Sequence, residues 1–167
     1  MKKKLTSLIL ALVLAMPLLS CQDDPQQVVE ETLPTEPIAF PSGRIIAEKA
    51  SDLKDLLRVP IKSRFGRAVD FTINYVDIQY YETDFVLQVN IPYVTLDGYD
   101  SNVVLSYYKH KKGGENESSC EVKAYQCYGN NCCQISTTTN TDGSVTNRCG
   151  CFGCTLEETT LANPCLQ

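Results

Sequence analysis

Tryptophan is absent from this sequence, and histidine occurs once, at position 110. Lys109 and Lys111 flank His110 and disfavour its protonated form, which makes it a weak candidate for general acid–base catalysis. No G-x-S-x-G nucleophile motif precedes it. Without an indole ring, sugar stacking on tryptophan is excluded. Glu82 and Asp84 form one pair of nearby acids, which we assign to a surface turn, so the sequence offers no convincing catalytic set.

Positive charge is also scarce, since 15 lysines and arginines stand against 20 acidic residues, for a net charge of −5. The basic cluster at residues 109–112 precedes Gly113-Gly114, so we interpret it as a solvated patch where a strand meets a turn. An acidic chain is a poor partner for phosphate backbones. We therefore expect no nucleic-acid partner.

Long apolar runs are missing too. The run Leu5 to Leu19 has about 15 residues, whereas a transmembrane helix needs about 20. It follows three lysines at positions 2–4 and ends in Leu18-Leu19-Ser20-Cys21. This arrangement resembles the lipobox-type signal peptide of bacterial lipoproteins, with residues 1–20 as the signal peptide.

The lipobox resemblance implies that Cys21 becomes the first mature residue, with a covalent diacylglycerol on its sulfur and an N-acyl chain on its amine. Two or more acyl chains hold a protein stably on a membrane. Gln22, Asp23 and Asp24 follow and partly resemble the export signal of surface lipoproteins of Bacteroidota. This implies an outer-membrane protein that faces the cell exterior. The alternative is a protein that faces the periplasm on a solvated tether. No other cofactor and no metal are expected.

Two regions are expected after the signal peptide. Residues 21–43 read as a lipidated, acidic tether that buries too little apolar surface to order itself. Residues 44–167 then form a single globular domain, because about 125 residues suffice for one modest core and are few for two. The tether contains Pro25, Pro34, Pro37 and Pro41.

The apolar spacing predicts one helix followed by strands. Leucines three and four apart between residues 53 and 57 predict a short helix with Ser51 as its N-cap, Asp52 in its first turn and an end before Pro60. From Asp70 onward the period becomes two, and a change of phase near residues 75–76 predicts a bulge in the first strand.

A turn at residues 82–84 leads to a second strand that ends before Pro92, and Asp97-Gly98 leads to a third strand through residues 103–107. Turn chemistry explains Asp97 and Asp100 better than a calcium loop does. The tyrosine pairs at 80–81 and 107–108 place one ring on each face of a strand. The fold class is therefore α+β or mainly β, a small antiparallel sheet with one short N-terminal helix and a disulfide-rich C-terminal extension.

Cysteine is the abundant residue of the C-terminal region, residues 120–165. With Cys21 assigned to lipid, an even number remains, and export to an oxidising compartment favours four disulfides of undetermined pairing. A hairpin around Asn140-Thr141-Asp142-Gly143 would place Cys133 opposite Cys151, or Cys132 there after a one-residue slip. The eight cysteines are Cys120, Cys127, Cys132, Cys133, Cys149, Cys151, Cys154 and Cys165.

Two functions are compatible with this sequence. The favoured one is a non-enzymatic binding or structural module, held on the membrane by its lipid and contacting an envelope protein or glycan. The alternative is a thiol-redox or metal-binding protein that uses Cys149, Cys151 and Cys154, since closely spaced thiolates bind zinc or iron clusters. For the redox version, Thr155 and Glu158 resemble a capping box that would place Cys154 at a helix N-terminus.

Overall fold

The computed structural model describes residues 33–84, 86–109, 120–129 and 134–161. The signal peptide, Cys21, the export signal at residues 22–24 and most of the tether lie outside the described residues. Within the described part, no helix has the length and apolar character needed to cross a bilayer.

The fold is built on a six-stranded antiparallel sheet. One helix and two small hairpins accompany it in the described residues. The elements are β1 (Ile38–Ala39), β2 (Ile45–Ala47), α1 (Ala50–Phe65), β3 (Phe71–Ile73), β4 (Gln79–Glu82), β5 (Val86–Thr95), β6 (Asp100–Lys109), β7 (Cys120–Tyr128), β8 (Ile135–Thr139), β9 (Val145–Cys149) and β10 (Thr155–Leu161).

The strand order is β10-β7-β6-β5-β3, and β4 pairs with β5 next to β3. Helix α1 lies against one face of this sheet, and β8 with β9 forms a separate hairpin. The predicted antiparallel sheet with one helix is confirmed. The sheet is wider than the predicted three-strand meander, because β7 and β10 from the cysteine-rich region extend it.

The main core lies between helix and sheet. Leu53, Leu57 and Ile61 are four residues apart and at most 1% exposed, so they form a continuous stripe on α1. They pack with apolar sheet residues such as Val89, which lies opposite Leu105. Burial of each such side chain contributes about 1.5–3 kcal/mol, which fixes the helix on this face.

The helix begins earlier than predicted. Its N-cap is Lys49, so the prediction of Ser51 as N-cap is wrong, while Asp52 does lie in the first turn. The Asp52 carboxylate accepts a hydrogen bond from the Lys49 backbone N–H at 3.2 Å. A carboxylate here also complements the positive end of the helix dipole. The hydrogen bond that caps the helix is therefore accepted by Asp52, a residue of the first turn.

The helix also continues through Pro60 to Phe65, which contradicts its predicted end before Pro60. A proline inside a helix removes one backbone bond and costs about 3 kcal/mol. Tertiary contacts offset that cost, because Pro60 itself is buried and the last turn is anchored on the sheet. The Arg64 guanidinium donates to the Ser101 hydroxyl at 2.7 Å, and the Phe65 and Tyr99 rings pack edge to face at 5.6 Å.

The bulge predicted near Tyr75 and Val76 is instead a 3₁₀ turn, Tyr75–Asp77, that separates β3 from β4. The Asn74 side-chain amide donates to the Asp77 carboxylate at 2.6 Å across this turn. The predicted change of phase is present only in part: Phe71 lies in the main core and Ile78 packs against it, whereas Val76 and Tyr80 are exposed.

Strand β5 runs through Pro92, although we predicted that it ends there. The Pro92 carbonyl accepts from the Asn74 N–H at 3.0 Å. In an antiparallel strand the carbonyl and the N–H of one residue face the same neighbour, so the N–H that Pro92 lacks would also face the side of Asn74. The 3₁₀ turn interrupts the neighbouring strand at this edge. Pro92 therefore deprives the sheet of no ladder bond, which explains how a central strand accommodates it.

The folded region starts earlier than the predicted boundary at residue 44. Strand β1 pairs with β2, and Phe40 is only 2% exposed. Phe40 packs edge to face on Tyr107 with ring centroids 5.9 Å apart. The last part of the predicted tether is thus part of the core.

The cysteine-rich region divides between the main sheet and the β8–β9 hairpin. Ile135 lies opposite Cys149 and Thr139 opposite Val145, which confirms the predicted hairpin in the first of its two predicted registers. Thr155 begins strand β10, so the predicted capping box at Thr155 and Glu158 does not start a helix. A small second core contains Val104, Cys127 and Ile135 and holds the hairpin on the sheet.

Candidate ligand-binding cleft

The sheet face opposite α1 carries uncharged amides where many half-exposed sheets carry charges. We call the residues Gln79, Gln88, Asn90 and Asn102 the amide face. Gln79 lies opposite Asn90, and Gln88 lies opposite Ser106. The β8–β9 hairpin overhangs part of this face and leaves an open groove of about 670 Å³. A smaller recess of about 340 Å³ shares Gln79, Asn90, Asp100 and Gln134 with this groove. We call this groove and recess the cleft.

Asn102 attaches the hairpin to the sheet. Its Oδ1 accepts from the Ile135 backbone N–H at 2.6 Å, and its Nδ2 donates to the Ile135 carbonyl at 3.0 Å. Asn102 is 2% exposed, so these bonds are shielded from water. One side chain thus satisfies both backbone groups of Ile135 and fixes the roof of the cleft above its floor.

The same network orients Asn90 on the floor of the cleft. The Asn102 Nδ2 also donates to Asn90 Oδ1 at 2.6 Å. The Ile135 N–H is a donor and must point at an oxygen, so the Asn102 amide has its oxygen toward Ile135. The Asn102 nitrogen then needs an acceptor at Asn90, so the oxygen of the Asn90 amide must face Asn102. The Asn90 amide nitrogen is left to face the cleft, since Asn90 lines both the groove and the recess. Asn90 is 9% exposed, so it presents two preoriented donors from a buried position.

The edge of the cleft repeats this pattern. The Tyr81 hydroxyl donates to Gln79 Oε1 at 2.9 Å, which leaves the Gln79 amide nitrogen as a donor. Across the cleft, Gln134 Nε2 donates to the Asp100 carboxylate at 3.3 Å. This bond leaves the Gln134 carbonyl and the second carboxylate oxygen as acceptors. The cleft therefore presents the amide donors of Gln79 and Asn90 and, on the other wall, the acceptors of Asp100 and Gln134, while Asp77 adds a carboxylate in the recess.

The charge of the cleft is limited to two acids. Asp77 and Asp100 are the ionisable carboxylates among its described lining residues, which include no lysine, arginine or histidine. Such a lining repels anions and gives a phosphate or carboxylate ligand no cation to pair with. The aromatic residues of the described lining are Tyr81 in the groove and Tyr93 in the recess.

A second polar cluster lies farther along the same sheet face. Lys123 bonds Glu158 at 2.8 Å, which lowers the pKa of Glu158 and raises the pKa of Lys123. The Tyr108 and Tyr125 hydroxyl oxygens are 3.1 Å apart. Burial, and then the bond to Tyr108, raise the pKa of Tyr125, which keeps it neutral. These groups pair with one another, so we assign the cluster to sheet stability.

The cysteines predicted as a metal or redox site form disulfides where they are described. Cys149 pairs with Cys127, with Cα atoms 5.6 Å apart, and this bridge ties β9 to β7. Cys151 and Cys154 are also disulfide-bonded. Ligation or redox exchange by this cluster would first require reduction. Among the described residues, no group of three or more cysteine, histidine or acidic side chains is placed to hold a metal ion.

Other predicted site residues lie partly outside the described residues. Cys120 begins β7, while Cys132, Cys133 and Cys165 are outside, so the predicted bridge from Cys132 or Cys133 is not addressed. Cys21 and the export signal Gln22, Asp23 and Asp24 are outside as well.

The predicted turn at Asp97 is confirmed, whereas Asp100, also assigned to turn chemistry, begins β6 and lines the cleft. Asp97-Gly98 forms a turn in which Gly98 donates to the Thr95 carbonyl at 2.9 Å. The hydrogen bond from the Thr95 hydroxyl lowers the pKa of Asp97, so this acid serves the turn. Glu82 ends β4 beside the predicted turn. Tyr107 is buried while its neighbour Tyr108 lies on the other face, as the alternation predicts.

The amide face was not predicted from the sequence. A signal was present, because the polar positions that alternate with Leu87, Val89 and Ile91 are Gln88 and Asn90. Uncharged amides at polar strand positions indicate a face that is covered or bound, since an open face usually carries charges. The hairpin that covers this face is too distant in sequence for the pattern alone to reveal it.

Comparison with known proteins adds no relative from which a function could be transferred. The chain matches no protein family model, no curated protein and no solved structure.

Proposed function

We propose that this protein is a lipid-anchored binding module of the bacterial outer membrane that holds its ligand in the cleft without converting it. The observation that carries the proposal is Asn90, whose two amide hydrogens face the cleft from a position that is 91% buried. The hydrogen bond from Asn102 to the Asn90 oxygen fixes the orientation of this amide before a ligand arrives. A ligand that accepts from Asn90 meets donors that are already ordered, which lowers the entropy cost of binding.

The membrane location in this proposal rests on the sequence. The lipobox resemblance assigns diacylglycerol and an N-acyl chain to Cys21, and Gln22, Asp23 and Asp24 favour export to the cell surface. Mass spectrometry of the protein purified from membranes should give Cys21 as the first residue, carrying both lipids. Proteinase treatment of intact cells should digest the protein if it faces outward and leave it intact if it faces the periplasm. A mature protein without a glyceride would contradict the anchor.

The binding role is tested with a variant that blocks the cleft. The purified lipidated protein in detergent is titrated with polysaccharides and peptides from the bacterial envelope. Gln79→Trp places a bulky ring at the exposed edge of the cleft and should weaken binding about tenfold or more. Thr138→Trp adds the same ring to an exposed position of β8 outside the cleft lining and should leave binding unchanged.

Two results would contradict the binding role. Equal affinities of the wild type and Gln79→Trp would place the ligand elsewhere, and the absence of any binding would remove the role altogether. Recovery of the ligand in cleaved form would show that the protein is an enzyme, with Asp77 and Asp100 as the carboxylates to examine first.

A further inference from the structure

We infer that the cleft binds a neutral, polyhydroxylated ligand, that is, an uncharged carbohydrate, through hydroxyl groups held between the two walls. This inference rests on the proposed function, since it assigns a chemical class to the ligand of the same cleft. It depends on the arrangement of donors and acceptors, and it needs no stacking on tryptophan.

The charge of the cleft restricts the class of ligand. The acids Asp77 and Asp100 face the cleft, and no cationic side chain occurs among its described lining residues. An anionic sugar, a phosphorylated lipid headgroup or a peptide carboxylate would be desolvated there without a positive partner. The ligand class that avoids this cost carries no negative charge.

The hydrogen-bonding groups of the cleft restrict the class of ligand further. Asn90 and Gln79 present amide donors, because their oxygens are occupied by Asn102 and Tyr81. Asp100 and Gln134 present acceptors on the opposite wall. A hydroxyl group can accept from an amide and donate to a carboxylate at the same time. Adjacent hydroxyls on a sugar ring supply such groups in a rigid array and satisfy both walls together.

An extended peptide is the competing ligand for this cleft. An extended peptide backbone needs a row of backbone groups or a sheet edge for its regular pairing. The cleft is floored by side chains from the middle of the sheet, since Asn90 and Asn102 lie on strands paired on both sides. The cleft therefore suits discrete side-chain recognition better than strand addition.

The experiment measures binding of the full lipidated protein in detergent to three sets of probes: neutral polysaccharides, polysaccharides containing uronic acids or sulfate, and peptides. Asn90→Asp keeps the oxygen that accepts from Asn102 but removes both donors. Gln79→Glu does the same at an exposed position where folding is less at risk. Asn147→Asp is the matched control, because it adds the same charge on β9 and keeps the acceptor for the Thr137 hydroxyl.

We expect neutral polysaccharides to bind, and Asn90→Asp and Gln79→Glu to weaken binding about tenfold or more each. Asn147→Asp should bind like the wild type. Affinity should change little between about 50 and 500 mM salt, because a neutral ligand makes no screened ion pair. Thermal melting of each variant shows whether a loss of binding reflects a loss of folding.

Different results would contradict the neutral-carbohydrate class and the binding role of the cleft. Acidic polysaccharides or peptides that bind and lose affinity in Gln79→Glu would overturn the neutral-carbohydrate class while keeping the cleft as the binding site. Neutral polysaccharides that bind equally well to the wild type and to both donor variants would overturn both. Binding of none of the three sets would also overturn both.

Discussion

Replacing Asn102 by alanine tests the attachment of the hairpin to the sheet most severely. The substitution removes the two bonds to Ile135 and the bond to Asn90. Ile135 is 4% exposed, so its backbone N–H and carbonyl cannot turn to water without movement of the hairpin. The variant must either keep unsatisfied buried groups or open the cleft.

The size of the effect follows from these bonds. Each buried polar group left without a partner costs about 1–3 kcal/mol. The three bonds share one side chain and are not additive, so we expect Asn102→Ala to lower the free energy of unfolding by about 3–5 kcal/mol. Domains of this kind have about 5–15 kcal/mol in total, so the variant should still fold with reduced stability.

The assay is urea denaturation followed by circular dichroism, with the disulfides intact. With a slope of about 1–3 kcal/mol per molar urea, the midpoint should fall by about 2 M. Gln134→Ala is the control, because it removes one exposed bond of 3.3 Å beside Ile135 and should cost less than about 0.5 kcal/mol. A midpoint for Asn102→Ala within about 0.3 M of the wild type would refute the structural role of Asn102.

Three further outcomes are expected. Replacing Cys127 and Cys149 together by alanine removes a bridge with a sequence separation of 22, and should cost about 3 kcal/mol in urea denaturation; an unchanged midpoint would show that the bridge adds no stability. The lowered pKa of Glu158 implies stability that is fully present above its ordinary value of 4.5 and lost as the pH falls through the folded value. Glu158→Gln should therefore flatten the fall of the urea midpoint between about pH 6 and pH 3, and an identical pH profile would argue against this pairing. Leu57→Ala on the buried stripe of α1 should cost about 2–5 kcal/mol in thermal melting, whereas Val59→Ala at a 55% exposed position should stay within about 0.5 kcal/mol; equal effects would contradict the assigned helix face.

The strands and turns were predictable because their signals are local. Alternation through Val103 and Leu105 placed β6, and the turn at residues 140–143 gave the register in which Ile135 lies opposite Cys149. The short helix was predicted only in its first half, because its passage through Pro60 depends on contacts with Tyr99, just before β6, and with Ser101 on β6. A local rule for proline cannot include such contacts.

The cleft was not predictable for a related reason. Its floor needs the pairing of β5 with β6, its roof needs the hairpin, and the bond that joins them links Asn102 to a residue 33 positions away. The sequence showed where the amides are but not what lies above them. The same holds for Cys127 and Cys149, whose pairing depends on where the hairpin packs on β7.

The most direct test of a ligand-binding cleft follows the side-chain amide of Asn90 itself. Isotope-labelled full-length protein in micelles is titrated with neutral polysaccharide fragments, and the Asn90 signal is assigned by its absence from the spectrum of Asn90→Asp. We expect the Asn90 and Gln79 amide hydrogens to show the largest shifts and slower exchange with water on binding. Side-chain amide signals that stay unchanged at saturating ligand would contradict the account.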